Sequence, residues 1–416
     1  MILVAGGPAP SNQHQKPGPS PDCTLCTFDE VSGCKIANWK GHKGAVMTTC
    51  LSLDPDTVIT GGADKFVRVW SVAEGKQKVA ALKGHKGTIN NLAMSPCGTF
   101  VASASSDGTI RFWDFVKGLQ VGTPIEHDDE VRAVCFNMTR CFNMPPGKLI
   151  ASGSGSCIIF WDRRNEKQAV QIARVQAHAG AVSCVTFHPL ALHSSVLFTG
   201  GMDRNIKVWR FNQSAGGVGE GKLDLVEVAT LKGHAAGLKT LAFSPVAPYV
   251  LSSGSSDATI RLWNYPLSSA GAISCSKGHR LTTHHVTWSK DASLFISASA
   301  DCTLRIWNGA TGCLHKSMLP DGLDLGFVGY SVQHIRVANK LPPLHALAFA
   351  MGTHARLGSA APASAASRGT VLWRTLRSMI ANTTRAPAPV STGCAFASLP
   401  EELVQRVVQA CVSTYT

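Results

Sequence analysis

The sequence predicts an all-β fold that repeats one short-stranded unit along most of the chain. The clearest copy, residues 83–114, holds three short apolar segments separated by turn residues, which is the pattern of consecutive strands. The copies are marked by tryptophans at Trp70, Trp113, Trp161, Trp209, Trp263 and Trp307. Their spacings cluster near the ~40–45 residues of a four-stranded propeller blade. Repetition at one period is the strongest indication of fold in this sequence.

Each repeat also has a histidine before its first strand, and most repeats have an aspartate in the turn before the tryptophan strand. In this order, from about residue 34 to residue 308, the chain resembles the WD-repeat family. The resemblance implies a β-propeller, for which we expect seven blades. In that family a histidine, a Ser or Thr, the aspartate and the tryptophan form a hydrogen-bonded tetrad within a blade. The resemblance places these tetrads at His42, Thr60, Asp64, Trp70; His85, Ser103, Asp107, Trp113; His178, Thr199, Asp203, Trp209; His234, Ser253, Asp257, Trp263; and His279, Ser297, Asp301, Trp307.

The tetrad histidines and aspartates are expected to be structural rather than catalytic. A buried carboxylate beside a neutral imidazole is stabilised by such a network, and a buried indole N–H needs a partner. The phosphate-loop pattern at residues 216–222 lacks its Ser or Thr, because Leu223 follows it. Cys23, Cys26 and Cys34 lack a closely spaced fourth zinc ligand. We therefore predict no enzyme activity, no metal site and no cofactor.

Closure of the ring is predicted to use the N-terminal region. In WD-repeat propellers the outer strand of a blade comes from the following repeat, so residues 34–40 should complete the last blade and remove exposed sheet edges. The first two strands of that blade are assigned to residues 344–349 and 355–359. Its third strand has two candidates, residues 369–374 and residues 24–29.

Three segments are expected from the composition. Residues 1–22 are rich in Pro, Ser, Gly and Gln and are predicted to be disordered. Residues 23–370 are assigned to the propeller, and residues 371–416 to a helical C-terminal extension. Blade three departs from the repeat pattern, because Gly155 stands at its aspartate position. We expect this blade to be locally soft or specialised.

Composition also bounds the location and the partners of the protein. The 416 residues contain no apolar run of about 18 residues, and the apolar start is too short for a secretory signal. We therefore expect a cytoplasmic or nuclear protein without a membrane span, with its 14 cysteines mostly reduced and buried. The net charge of +13 is spread over the blades. Nucleic acid is thus a less favoured partner, which the charge alone does not exclude.

The tail from residue 371 is predicted to form two helices separated by a proline-rich break. Helix, break, Leu-Pro and helix in this order resemble the SOCS box, a module that recruits elongin and a cullin. The candidate adaptor-binding residues are Leu372, Leu376, Arg377, Ile380, Leu399 and Pro400. The alternatives are the start of an F-box at residues 399–403 and a helix pair that packs on the propeller rim. A second feature is consistent with the first interpretation: residues 161–164 resemble the WDxR box of propellers that dock on a cullin–RING adaptor, with Arg164 as its key residue.

The predicted partner-binding face is the one that carries the histidine loops. Each first strand enters the central channel just after its histidine, so residues three and five positions later line the channel mouth. The candidates there are Met47, Asn90, Glu130, Arg132, Lys239 and His284. Arg132, Lys239 and His284 make this mouth basic, and the expected ligand is an acidic or phosphorylated protein segment.

These features favour a non-catalytic protein-interaction scaffold. The most specific hypothesis is the substrate-recognition subunit of a cullin–RING ubiquitin ligase. One alternative is a general assembly scaffold in signalling, RNA processing or trafficking, with no ubiquitin role. The alternative from another class is a propeller enzyme that uses the channel mouth.

Overall fold

The computed structural model describes residues 2–7, 24–28, 35–139, 144–190, 195–213, 223–245, 250–264, 272–289, 291–301, 303–318 and 328–334. Every regular element within these ranges is a β-strand. All of them belong to one unit, Met1–Val337, and the other unit of the chain, Ala338–Thr416, lies outside the described residues. The predicted all-β propeller is confirmed for the described part, whereas the predicted helices of the tail fall outside it.

Six antiparallel sheets follow the predicted repeats: five have four strands and one has five, and the four main strands of each lie in chain order. Blade 1 contains β4 (Val46–Leu51), β5 (Thr57–Gly62), β6 (Val67–Ser71) and β7 (Lys76–Gln77). Blade 2 contains β8 (Ile89–Met94), β9 (Phe100–Ser105), β10 (Thr109–Asp114) and β11 (Leu119–Gln120), with the short β12 (Ile125–Glu126) also paired to β10. Blade 3 contains β13 (Val131–Phe136), β14 (Leu149–Ser154), β15 (Cys157–Asp162) and β16 (Val170–Gln176).

The other three repeats have the same plan. Blade 4 contains β17 (Val182–Phe187), β18 (Val196–Gly201), β19 (Ile206–Gln213) and β20 (Leu223–Leu231). Blade 5 contains β21 (Leu238–Phe243), β22 (Val250–Ser255), β23 (Thr259–Asn264) and β24 (Ser274–Lys277). Blade 6 contains β25 (Thr283–Trp288), β26 (Leu294–Ser299), β27 (Leu304–Asn308) and β28 (Leu314–Met318). In each blade the first strand is the inner one, and it contacts the first strands of the neighbouring blades.

The apolar core lies between consecutive blades rather than within them. Between blades 1 and 2, for example, Ile59 and Val69 of one sheet pack in a single buried cluster with Ile89, Val101 and Trp113 of the next. A strand of about six residues that is buried on both faces needs apolar side chains at most positions. This is why the repeats are rich in Val and Ile. The resulting ring holds its loops on a rigid frame.

A further four-stranded sheet closes the ring between blades 6 and 1. Its strand order is β29 (Val328–His334), β1 (Ile2–Gly7), β2 (Thr24–Phe28) and β3 (Lys35–Lys40). Leu25 and Trp39 pack with Trp70 of blade 1, and Cys26 packs with Ile296 of blade 6. This sheet thus leaves no free edge between first and last repeats.

The composition of this closing sheet corrects several predictions. Seven blades were predicted, whereas six sheets carry the histidine and tryptophan of the repeat. In the remaining sheet only the outer strand β3 belongs to the repeat pattern. The outer strand and the candidate third strand at residues 24–29 were placed correctly. The first two positions, however, are occupied by β29 and β1 and not by residues 344–349 and 355–359, which lie outside the described residues.

The N-terminal segment also differs from its prediction. Residues 1–22 were expected to be disordered, but Ile2–Gly7 forms an interior strand that pairs with β2 on one side and β29 on the other. The averaged composition concealed a short run of strand-forming Ile, Leu and Val ahead of the Pro- and Gln-rich stretch. The propeller therefore begins near residue 2, not at residue 23, and its last described strand ends at His334.

Candidate interaction face

Alternation of strand direction gives the ring two faces. The loop before each first strand and the turn between the second and third strands lie at one end, and the other turns lie at the opposite end. We call the first end the histidine-loop face, because it carries the tetrad histidines and the turn aspartates. The inner strands that carry the predicted partner-binding residues start at this face.

The four residues predicted for each tetrad form a chain of hydrogen-bond contacts that runs from the tryptophan through the hydroxyl and the histidine to the aspartate. In blade 2 the Trp113 indole N–H donates to Ser103 Oγ at 2.8 Å, and His85 Nε2 lies 2.6 Å from the same hydroxyl. His85 Nδ1 lies 2.9 Å from the Asp107 carboxylate, which also accepts from the Lys86 amide at 2.7 Å. Blades 1, 4, 5 and 6 contain the same contacts. Each tetrad ties the histidine loop to the strands beneath it.

The chemistry of the tetrad sets its protonation state. Burial lowers the pKa of His85, and the nearby Asp107 offsets that effect only in part, so the imidazole is neutral at pH 7. Burial likewise lowers the pKa of His178 and of His234. Because an ionised carboxylate only accepts hydrogen bonds, Nδ1 carries the imidazole proton and Nε2 accepts from the hydroxyl. The tetrads are thus closed networks with no proton free for catalysis.

A threonine that sequence reasoning did not single out strengthens three of the tetrads. The hydroxyls of Thr109, Thr259 and Thr303 donate to Asp107, Asp257 and Asp301 at 2.7, 2.7 and 2.6 Å. Burial raises the pKa of Asp257, but hydrogen bonds from Thr259 and its other donors outweigh this and lower the value to about 2. The pattern Asp-x-Thr in the turn is the feature from which these threonines could have been predicted.

Blade 3 retains three members of the network and lacks the fourth. Trp161 Nε1 donates to Ser152 Oγ at 2.9 Å, and His127 Nε2 lies 2.9 Å from the same hydroxyl. With Gly155 in the aspartate position, His127 Nδ1 is buried without a hydrogen-bond partner, and burial lowers the His127 pKa to about 4. Gly155 has a φ of +51°, and an added Cβ there would lie 2.5 Å from the Asp129 carboxylate. Blade 3 therefore retains the Ser152–Trp161 contact but lacks the carboxylate of the tetrad.

Five of the six predicted mouth residues occupy one equivalent position in the inner strands of the repeat blades; Glu130 instead lies just before β13. Each inner strand has a β-bulge directly after its first paired residue. The residues at the bulge are Met47, Asn90, Arg132, Ser183, Lys239 and His284. A bulge leaves its extra residue out of the ladder and redirects its side chain. All six side chains differ, whereas the tetrad positions hardly vary.

Two of the bulge residues connect neighbouring blades. Asn90 Nδ2 donates to the Val131 carbonyl of the next blade at 2.9 Å. Ser183 Oγ donates to the Leu238 carbonyl of the next blade at 2.7 Å. These two side chains therefore link neighbouring blades to each other.

The charges at the mouth differ from the sequence-based expectation. Arg132 Nε donates to Glu130 Oε1 at 2.6 Å, so this cation already has an anionic partner. Burial lowers the pKa of His284 to about 4, and the Lys239 cation acts in the same direction. His284 is therefore neutral at pH 7. Contrary to the expectation of three cations, the one that remains uncompensated in this set is Lys239.

The two arginines of the WDxR-like segment have different roles on the opposite face. Arg163 is buried, with its guanidinium carbon 4.1 Å from the ring centroid of Phe112 in the preceding blade. Arg164 folds back on its own blade, where Nε donates to Asp162 Oδ2 at 2.7 Å and the side chain is 54 % exposed. The key arginine of the predicted motif thus has an intramolecular partner. The tail residues Leu372, Leu376, Arg377, Ile380, Leu399 and Pro400 lie outside the described residues.

In the part of the chain that the structure describes, no group of three His, Cys, Asp or Glu side chains is arranged to hold a metal ion. No helix in the same ranges is long and apolar enough to cross a membrane. A cavity of about 510 Å³ lies between blades 5 and 6 on the opposite face, lined by Ile273, Trp288 and Asp291 among others. It is remote from the channel mouth.

Comparison with known proteins identifies the repeats. The family model described as "WD domain, G-beta repeat" matches residues 33–71, 76–114, 118–162, 169–210, 225–264 and 272–308, which together cover more than half of the chain.

Individual relatives match shorter stretches. The chain is 33% identical to nuclear distribution protein nudF of Aspergillus niger over 139 residues, which is 33% of this chain and 28% of the relative. It is 27% identical to the coronin-like protein crn1 of Schizosaccharomyces pombe over 161 residues, 39% of this chain and 26% of the relative. It is 27% identical to a ribosome biogenesis protein WDR12 homolog of Chlamydomonas reinhardtii over 215 residues, 45% of this chain and 46% of the relative. The chain thus spans less than half of the length of each of these curated relatives.

Proposed function

The chain belongs to the WD domain, G-beta repeat family, and from that premise we propose that it is a non-catalytic scaffold that binds protein segments on its histidine-loop face. The observation that carries this proposal is that the tetrad residues are nearly the same in every repeat, whereas the residues at the channel mouth differ. Tetrads of nearly invariant chemistry hold the loops, while six different side chains occupy the equivalent bulge positions. A rigid ring with individual side chains at one channel mouth is suited to recognition of a partner surface.

Catalysis receives no support from the same residues. The tetrad imidazoles are enclosed between a carboxylate and a hydroxyl, so they are neither exposed nor free to exchange a proton with a substrate. A general base must reach the proton that it removes. We therefore propose binding as the role of this face.

The partner is proposed to be an acidic protein segment. Lys239 is the uncompensated cation of the mouth. Four exposed lysines lie on the histidine-loop face of blades 1 and 2 and add positive charge to that face: Lys43, Lys65, Lys83 and Lys86. Positive charge on a recognition face raises association rates with acidic partners and adds selectivity.

The general scaffold is better supported than the ubiquitin-ligase hypothesis. Arg164 is paired with Asp162, and the tail residues that resemble a SOCS box lie outside the described residues. The names of these three relatives refer to nuclear distribution, to a coronin-like protein and to ribosome biogenesis, and none of the three refers to ubiquitin. The ligase role remains a narrower proposal that co-purification of elongin and a cullin with the full chain would support.

The test is affinity purification with quantitative mass spectrometry of the full chain. The double variant Arg132→Glu/Lys239→Glu reverses two charges at the mouth, and Lys117→Glu reverses an exposed charge on the opposite face as a control. We expect the mouth variant to lose the specific partners of the wild type and the control to retain them. Retention of every partner by a folded mouth variant would refute the assignment of this face.

A further inference from the structure

Lys239 occupies an unusual position for a lysine. It is the bulge residue of β21, and its side chain is partly buried at the mouth of the channel. Among the described residues, no carboxylate lies within ion-pair distance of its ammonium group. A lysine that is buried to this degree is expected to have a counter-charge, because removing an ammonium group from water is costly.

The neighbours of Lys239 do not compensate its charge. The electrostatic influence of Arg132 on Lys239 is repulsive, and together with burial, the larger effect, it lowers the lysine pKa. His284 on the adjacent inner strand is neutral at pH 7, as its pKa of about 4 requires. Glu130 is held by Arg132 through two guanidinium nitrogens. The set of Glu130, Arg132, Lys239 and His284 therefore carries a net charge of one positive unit.

We propose that this part of the mouth is a subsite for one carboxylate side chain, an Asp or Glu of the bound protein segment, and not for a phosphoryl group. The inference rests on the proposed function, since it names the chemistry that the same face recognises. One carboxylate neutralises the single uncompensated charge. Its oxygens accept from the Lys239 ammonium group, and such charge-assisted hydrogen bonds are short and strong.

A phosphoryl group fits the same set less well. At pH 7 it carries about −1.5 to −2 charges, so it would leave excess negative charge beside the Glu130 carboxylate. Its preferred partner is an arginine fork, but Arg132 is already engaged by Glu130. The ammonium group of Lys239 is a compact point charge, which matches a single carboxylate without bidentate geometry. Net charge and ligand geometry thus point to the same ligand class.

The experiment measures binding of a fluorescent oligoglutamate peptide to the full chain near 150 mM salt, with the oligoglutamine counterpart as the uncharged probe. We expect Lys239→Met to weaken oligoglutamate binding at least about tenfold, in line with loss of one charge-assisted hydrogen bond. The control Lys117→Met removes the same formal charge from the opposite face and should leave the affinity within about twofold, because screening limits distant charges to roughly a Debye length. Inorganic phosphate should displace the peptide from the wild type no better than acetate does.

Two further arms separate the outcomes. In Glu130→Gln the net charge of the set rises by one, so phosphate should become the stronger competitor. Acylation of Lys239 in the unaltered protein, followed by mass spectrometry, should be slowed by oligoglutamate, and this readout requires no folded variant. Equal losses in Lys239→Met and Lys117→Met, no binding to the wild type, or stronger competition by phosphate in the wild type would each overturn the subsite. Loss of the specific partners in the mouth charge-reversal variant, measured separately, would still support the proposed function.

Discussion

Trp39 of β3 and Trp70 of β6 stack across the boundary between the closing sheet and blade 1, with ring centroids 6.2 Å apart and planes inclined by 28°. Trp70 is a tetrad tryptophan, and its N–H donates to Thr60 of its own blade at 2.8 Å. The residue that completes the ring is thus packed directly on the hydrogen-bonded frame of the first repeat. Ring closure and blade stability are therefore coupled.

Removal of the N-terminal strand should open the ring. β1 is an interior strand, paired on both sides, so deletion of residues 1–7 exposes two strand edges. We expect a loss of at least about 3 kcal/mol in the free energy of unfolding, since several hydrogen bonds of about 1 kcal/mol net each disappear. Urea unfolding followed by tryptophan fluorescence measures it, with Val4→Pro as a point variant that blocks the same ladder. An unchanged midpoint for both variants would show that β1 is dispensable.

Loss of a tetrad carboxylate should destabilise its blade. Asp107 accepts hydrogen bonds from His85, from the Lys86 amide and from Thr109, and all three donors lose their acceptor in Asp107→Ala. The expected cost is about 1–3 kcal/mol, the penalty of buried groups left unpaired. Chemical denaturation of Asp107→Ala beside wild type measures this. A change in the free energy of unfolding below experimental error would mean that the tetrads do not contribute to stability.

Gly155 in blade 3 should be sensitive for a different reason. From the sequence, Gly155→Ala is predicted to be milder than Asp107→Ala because it removes no hydrogen bond. The structure adds a positive φ and a close contact between the new Cβ and Asp129, so we expect a cost of about 1–3 kcal/mol from backbone strain. In an Asp129→Ala background the contact is relieved, and the cost of Gly155→Ala should fall. Identical costs in both backgrounds would exclude the contact as a cause.

The two adjacent arginines on the opposite face should respond differently to truncation. Arg163→Ala removes a buried guanidinium from the face of Phe112 and should cost about 2 kcal/mol, the scale of a desolvated cation–π contact. Arg164→Ala removes a half-exposed ion pair with Asp162 and should cost less than about 1 kcal/mol. Thermal unfolding of the two variants makes the comparison. The reverse order of stabilities would contradict the assigned roles.

Acid should weaken the propeller before the carboxylates titrate. The folded-state pKa values of His127 and His284 are both lowered to about 4 by burial, below the ~6.5 of an unfolded histidine. The unfolded chain thus binds more protons between these values, so stability is full above about pH 6.5 and falls as the pH drops towards 4. Urea midpoints at pH 7 and pH 5 should show this decline. His284→Gln should flatten it more than the exposed-site control His315→Gln does, and equal slopes would refute the assignment to His284.

Much of the fold was predictable because its determinants are local and repeated. His, Asp and Trp recur at one spacing, so a single tetrad residue such as Asp107 or Trp113 is enough to locate its blade in the sequence. In the closing sheet only the two outer strands, β2 and β3, were predictable. Ile2–Gly7 and Val328–His334 lie at opposite ends of the described chain and have no motif, so their pairing depends on long-range geometry that no local pattern encodes.

The mouth was predictable in position but not in charge. Counting five residues from each histidine located Lys239 and His284, because the bulge falls at the same place in every inner strand. The neutrality of His284 follows from its burial, and the engagement of Arg132 follows from a contact with Glu130 two residues earlier. Neither depends on sequence spacing alone. Because His284 is neutral and Arg132 is paired, the ligand that we propose for this mouth is a single carboxylate and not a phosphoryl group.

Site-specific photo-crosslinking can determine whether partners bind the histidine-loop face. Ser106 and Val116 are exposed positions on opposite faces of the same blade, so a photoreactive amino acid at each gives a matched pair. We expect irradiation of the full chain in cells to yield discrete partner adducts from position 106 and none from position 116. Adducts from position 116 alone, or the same adducts from both positions, would contradict it.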